Sequence, residues 1–294
     1  MKVLSRDLKE AIPEAHCFSP KNLYYIRRFY LMYSEIFPQL EGKSEQSKFP
    51  QLEGILYSVS WGHHKVLIDK YFNDPTVALF YIVETVKQGW SRAILLNMLD
   101  TSLHLRQGKG ITNFSNSLSV PTGELAQEMT KDPYIFDFTN LVKPYQEREL
   151  KDALLNEITR FLLELGEGFA YVGREYRLKV GETEQFTDLL FYNLKLRCYV
   201  VIEVKTTKFE AAHLGQLGLY VTAVNHILKT EQDNPTIGLL VCKTKDNVLA
   251  KYSLEGYNLP MGISEYQLSR LLPDNFKSTL PTIAEIEAKL IDKQ

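Results

Sequence analysis

Asp188, Glu203 and Lys205 carry the reactive groups of a segment that otherwise reads as core. They stand inside FTDLLFYNLKLRCYVVIEVKTTK, residues 186–208, where most other positions are Leu, Phe, Tyr, Val and Ile. That is the composition of buried strands, where charges are costly. Side chains of a strand alternate between its faces, so Glu203 and Lys205 share a face with Tyr199 and Val201. A hairpin turning near residues 194–197 pairs Asn193 with Cys198, and counting back places Asp188 opposite Glu203, with Cβ atoms about 4.5–5.5 Å apart. Two carboxylates at 4 Å repel by roughly 1–4 kcal/mol. A divalent cation offsets that directly, because hard carboxylate oxygens suit Mg²⁺, which takes few protein ligands and keeps its waters. A lysine one pleat away could orient and help deprotonate an attacking water while stabilising charge on a phosphate.

The plainer alternative is a structural network in which both acids only pair with Lys205, and the hairpin geometry does not choose between the two. A register slip of one residue would carry Asp188 to the opposite face and dissolve the site.

The elements that must hold these groups follow from residue 144 onward. ERELKDALLNEITRFLLELGEG reads as one amphipathic helix ended by Gly166. Strands are expected at 169–180, 186–193 and 198–205, then a helix from about Phe209 to Leu228. TIGLLVCK is a strand, NVLAKYSL a helix and MGISEYQL a last strand. This order is an α/β arrangement around a mixed sheet. On the helix after the acidic strand, Gln216 and Tyr220 are one turn apart on one face, with His213 three residues earlier. Gly215 and Gly218 weaken that helix by about 1 kcal/mol each relative to Ala, which points to a close approach of helix and sheet there.

The first hundred residues read as helices. Ser19 and Pro20 start one running to Ile36. Asp74, Pro75 and Gly89 bracket another, and Ser91 opens the next. His63 and His64 belong to a helix start after Ser60. Being adjacent, they project about 100° apart and cannot grip one metal as an i, i+4 pair would. FPQLEG occurs at 37–42 and again at 49–54 around KSEQSK, a short duplication lengthening a loop. From Gly108 to Lys143 the chain is rich in Gly, Ser, Asn and Pro. The expected organisation is a helical N-terminal domain over 1–115, a linker over 116–143 and a second domain over 144–294.

Bulk properties narrow the classes. The chain has 294 residues, 45% of them hydrophobic, and a formal net charge of -2, so a polyanion would need a local basic patch. Lys21, Arg27 and Arg28 lie among aromatic residues in the helix starting at Pro20. Arg174, Arg177, Lys179, Lys195, Arg197 and Lys208 surround the acidic hairpin. No apolar run approaches the roughly 18 residues of a membrane span, and MKVLSRDLKE is no signal peptide, so a cytoplasmic protein with no membrane partner is expected. Cys17, Cys198 and Cys242 are too scattered for a disulfide framework or a zinc site and are read as reduced core thiols. The isolated GKG at 108–110 is no phosphate-binding loop, and no nucleophile elbow is present.

Asp188, fourteen residues, then Glu203-Val204-Lys205 resembles the signature of the PD-(D/E)xK superfamily, with Thr187 in place of its proline. With LLELGEGFAYVGREYRL, TDLLFYN, VVIEVKTTKFEAAHLGQLGLYV and GISEYQL around it, the chain resembles the YhcG-like family of predicted bacterial nucleases. FSPKNLYYIRRFYLMY, SWGHHKVLI and QGWSRAILLNML resemble the helical domain that precedes the nuclease in that family. The resemblance implies a restriction-endonuclease-like mixed-sheet fold after an all-helical domain, and Mg²⁺ or Mn²⁺ held by Asp188 and Glu203 with the Val204 backbone carbonyl. It also implies Lys205 as the water-activating residue and Gln216 as the polar residue on the following helix. Many members of the superfamily add a glutamate from the first helix, and Glu147, Glu149 and Glu157 all qualify. Two departures fall on the N-terminal domain, which starts later than the family pattern and so is expected to be truncated, and which carries the duplicated FPQLEG. The resulting expectation is a metal-dependent endonuclease acting on nucleic acid, DNA before RNA, with a homodimeric active form left open. The alternative is a non-catalytic nucleic-acid or protein-interaction module with an idle nuclease core.

Overall fold

In a computed structural model of the protein, residues 1–34, 50–139, 141 and 144–269 are described. The chain divides into two compact units between Lys109 and Gly110. The described elements of the first unit are helices: α1 (Lys2–Ala11), α2 (Pro20–Ser34), α3 (Pro50–Ser58), α4 (Trp61–Tyr71), α5 (Pro75–Gln88), α6 (Arg92–Asp100) and α7 (Leu103–Arg106). Their ends follow the expected punctuation. Asp74 accepts the Val77 N–H at 3.2 Å and Gly89 closes α5 in the left-handed region, while Ser91 accepts the Ile94 N–H at 3.3 Å. Tyr33, Leu67, Ile68, Tyr81, Ile82 and Leu95 form the core of this unit. The first FPQLEG copy and KSEQSK lie outside the described residues, while residues 50–54 of the second copy belong to α3.

The second unit is built on β1 (Ile111–Thr112), β2 (Tyr134–Ile135), β3 (Phe169–Val180), β4 (Thr183–Asn193), β5 (Cys198–Lys208), β6 (Ile237–Thr244) and β7 (Met261–Gln267). Its helices are α8 (Phe114–Ser117), α9 (Val120–Met129), α10 (Glu147–Asn156), α11 (Ile158–Leu165), α12 (Ala212–Ile227) and α13 (Asn247–Glu255). The sheet order is β1-β7-β6-β5-β4-β3, with β2 also pairing β7. β3, β4 and β5 form an antiparallel meander, and β5, β6 and β7 run parallel. Because strand residues alternate, Val200, Ile202 and Val204 pack on one face with Leu150, Leu154, Phe161 and Leu165 of α10 and α11. Val201 and Leu190 pack on the other with Leu214, Leu217 and Val221 of α12. The expected mixed sheet is thus covered on both faces.

Four expectations are corrected. The stretch read as a linker over 116–143 contributes α8, α9 and β2, and the preceding β1 pairs Ile111 with Ile263. Its polar residues serve the sheet: Asn113 donates to the carbonyls of Tyr257 at 2.8 Å and Leu259 at 2.9 Å and accepts the Met261 N–H at 2.8 Å. The single helix expected over ERELKDALLNEITRFLLELGEG is divided into α10 and α11 at Glu157, whose φ of -112° and ψ of 39° leave the helical region. The close approach of α12 to the sheet is at Gly238 on β6, where an added Cβ would lie 2.8 Å from Val221 and 2.9 Å from Leu217. At Gly215 it would meet nothing within 4 Å, and at Gly218 only ordinary contacts with Tyr257 and Leu259. Cys198 and Cys242 are core thiols, with burial pushing both up to about 12, but Cys17 is exposed.

β3 is an edge strand. It alternates charged and half-buried residues, shifts register between Tyr171 and Gly173, and holds Glu175 at a φ of 42°.

Candidate active site

The β4–β5 hairpin has the expected register: Asn193 pairs with Cys198, and the ladder runs to Leu189 opposite Ile202. One further step brings Asp188 against Glu203. There the ladder gives way to a side chain, because Asp188 Oδ2 accepts the Val204 N–H at 3.1 Å. The other oxygen, Oδ1, accepts from Lys151 Nζ at 2.7 Å. Val204 buries its side chain among the α10 and α11 contacts.

Glu203 is 1% exposed. Its Oε1 pairs with Lys205 Nζ at 2.8 Å, and its Oε2 is buried with no hydrogen-bond partner. Burial first, then the charge of Asp188, pushes the Glu203 carboxyl up to about 7, against the pull of Lys205 and Lys151. Lys205 also approaches Glu147 Oε1 at 3.5 Å. Burial works against its charged form, but the bond to Glu203 and the surrounding carboxylates outweigh that and hold its pKa above the ordinary lysine value. Lys205 is therefore an ammonium in this arrangement.

Of the three glutamates left open, Glu147 is the one that reaches the site. Its Oε1 lies 3.2 Å from Lys151 Nζ as well as facing Lys205. Glu149 is occupied at the helix start, accepting the Gln146 N–H at 2.6 Å, and Glu157 lies 3.7 Å from Arg160. Lys151 was not among the sequence candidates. The signal was present in Glu147-x-x-x-Lys151, but an i, i+4 pair of this kind usually marks a solvated helix face. Here burial opposes the ammonium, and the bonds to Asp188 and Glu147 more than compensate, raising its pKa.

On α12, Gln216 donates to the Tyr220 hydroxyl at 2.7 Å. Burial and then Gln216 act on that phenol, but the charges of Glu203 and Asp188 are also felt there, so this pair borders the site without touching the acids. His213, its pKa lowered by burial and then by Lys205, lies on the same side. His63 and His64 serve α4: Ser60 Oγ meets His63 Nδ1 at 2.6 Å, and His64 Nε2 meets the Leu56 carbonyl at 2.9 Å.

Among the described residues, no three His, Cys, Asp or Glu side chains are gathered for metal binding. The two carboxylates nonetheless fit a hard cation that draws its remaining ligands from a carbonyl and water. The orphaned Oε2 of Glu203 is the feature that fits it: a buried carboxylate oxygen without a donor is costly unless a proton or a cation takes it. Of the basic residues near the hairpin, Arg174 pairs with Asp152 at 2.7 Å and Arg177 with Glu184 at 3.5 Å, and Lys195 pairs with Glu167. Lys179, Arg197 and Lys208 are exposed. In α2, Arg28 meets Asp69 at 3.4 Å and stacks over Phe72 at 4.4 Å, whereas Lys21 and Arg27 are exposed. Among the described residues no helix is long and apolar enough to cross a membrane.

Residues 127–281 match the YhcG PDDEXK nuclease domain, and residues 1–106 match the DUF1016 N-terminal domain. The chain is 30% identical over 299 residues to the Escherichia coli (strain K12) protein described as "Putative nuclease YhcG", across 93% of this chain and 76% of that one. Among solved structures, a repair endonuclease from Pyrococcus abyssi is 17% identical with a TM-score of 0.29, covering 45% of this chain and 50% of that one. An EndoMS–dsDNA complex is 21% identical with a TM-score of 0.31, covering 46% and 48%. The chain thus spans about half the length of these solved relatives.

Proposed function

The chain belongs to the YhcG family of PDDEXK nucleases, and from that footing we propose that it is a divalent-metal-dependent endonuclease hydrolysing phosphodiester bonds of nucleic acid, DNA first. The observation that carries this reading is the buried, partnerless Oε2 of Glu203 beside Asp188, with Lys205 bonded to the same carboxylate. Asp188, Glu203 and the Val204 carbonyl would hold Mg²⁺ or Mn²⁺, which when bound supplies Lewis-acid polarisation of the phosphate and a more acidic water.

The chain's own groups do the rest. Lys205, charged and fixed by Glu203 at 2.8 Å, orients the attacking water and stabilises negative charge on the phosphate oxygens. Glu147, 3.5 Å away, keeps that ammonium aimed. Gln216, held by Tyr220 at 2.7 Å, offers an amide to the substrate at the border of the site. Exposed Lys179, Arg197 and Lys208, and Lys21 and Arg27 of the helical unit, supply sequence-independent phosphate contacts.

The test is cleavage of single-stranded, duplex and branched DNA and of RNA with Mg²⁺ or Mn²⁺. Metal-dependent cleavage is expected, lost in Asp188→Asn and Lys205→Ala with the fold retained. A wild-type protein that cuts none of these substrates would overturn the enzyme reading, and one that also binds no metal by calorimetry would favour the non-catalytic module.

A further inference from the structure

Lys151 is the charged group at the site that the proposed chemistry does not use. Its ammonium lies 2.7 Å from Asp188 Oδ1 and 3.2 Å from Glu147 Oε1, and the side chain is 17% exposed. The second oxygen of Asp188 is already taken by the Val204 N–H at 3.1 Å. Both oxygens of Asp188 are therefore engaged, while Glu203 keeps one free. A cation bridging the two acids has an open oxygen on Glu203 but must displace a donor on Asp188. The backbone N–H is fixed by strand β5. The lysine is not, because it sits at the end of a flexible stem and has a second anchor on its own helix.

We propose that Lys151 is a tethered cation that competes with the divalent ion for Asp188, and thereby sets the metal concentration at which the site loads. This rests on the metal-site reading above. In the metal-free protein Lys151 relieves the repulsion between Asp188 and Glu203, so that three carboxylates (Glu147, Asp188, Glu203) face two ammonium groups (Lys151, Lys205). When the ion arrives, Lys151 swings from Asp188 onto Glu147 alone, which is already within reach. Removing the lysine leaves the same oxygens with one positive charge fewer, and the ion no longer has to displace anything from Oδ1.

The experiment is calorimetric titration of the full chain with Mn²⁺ and Mg²⁺, comparing wild type with Lys151→Met, which keeps the length of the stem and loses the charge. The variant is expected to bind about fivefold more tightly or better, since a unit charge near 4 Å contributes about that much even in high dielectric. Its melting temperature should fall without metal and rise more steeply than that of the wild type as metal is added. Equal affinities would overturn the proposal and leave the metal site standing. Absence of binding in both proteins would overturn the metal site itself, and this inference with it. Should Lys151→Met fail to fold, a crystal structure of the unmodified protein with Mn²⁺ decides: Lys151 parted from Asp188 supports the competition, and an ammonium still on Oδ1 beside a bound ion overturns it.

Discussion

Glu84 in the helical unit and Glu203 in the mixed-sheet unit are both almost fully buried, at 5% and 1% exposure. Glu84 Oε2 accepts from Gln88 at 2.6 Å, and Oε1 lies 3.7 Å from Lys87, partners that its own helix supplies at i+4 and i+3. Glu203 has one lysine on one oxygen and nothing on the other. The helical unit has orphans too, at Tyr33 Oη, Thr85 Oγ1 and His64 Nδ1. These belong to groups that stay neutral, where a missing bond costs about 1–3 kcal/mol. An unpartnered carboxylate oxygen beside a second carboxylate is a different matter. The contrast separates buried polarity that completes a fold from buried polarity that awaits something.

The sharpest way to break that contrast is to neutralise each glutamate. Glu203→Gln should lower cleavage by about 10³-fold, in the range of lost acid–base and electrostatic assistance, while Glu84→Gln leaves the cleavage rate unchanged. Equal losses would sink the distinction.

Stability should move the other way with pH. Glu203 holds its proton up to about 7 when folded but releases it near 4.5 otherwise, so between those values the folded state binds more protons. The metal-free protein should therefore lose stability as pH rises from 4.5 towards 7. Urea unfolding in EDTA measures this, and Glu203→Gln should flatten the slope.

Asn113 represents the satisfied class within the mixed-sheet unit. Replacing it with Ala strips three bonds from the first residue of β7 and the segment leading into it and should cost about 2 kcal/mol in the same unfolding assay, with metal affinity intact. The smallest effect is expected at the helix caps. Asp74→Ala and Asp246→Ala each remove a cap and should cost about 1 kcal/mol without touching cleavage.

Much of this was legible in the chain, for physical reasons that also mark where legibility ends. The period-2 pattern and the turn at 194–197 specify one register, and Asn193 opposite Cys198 follows from them. The segments at 111–112 and 134–135 are two-residue strands, too short to carry a period. The first is anchored by Asn113 bonding backbone groups nearly 150 residues away and the second by pairing with Tyr266 and Gln267 of β7, which local composition cannot express. Glu147 could not be told from Glu149 or Glu157, since the choice depends on how α10 lies over β4 and β5. Lys151 looked like the partner of Glu147 and is also the partner of Asp188.

The exposed β3 edge has a consequence of its own. A long outer strand offers its free amides and carbonyls to any passing chain, and an unguarded one of twelve residues would be a seed for fibres. Here the run Arg174, Glu175, Arg177 and Lys179, the register shift at Tyr171 and Gly173 and the left-handed Glu175 spoil the flat, uncharged geometry that such zippering requires. Two copies meeting along this border would find mismatched amides and crowded charge, so among the described residues β3 is a guarded border of the sheet.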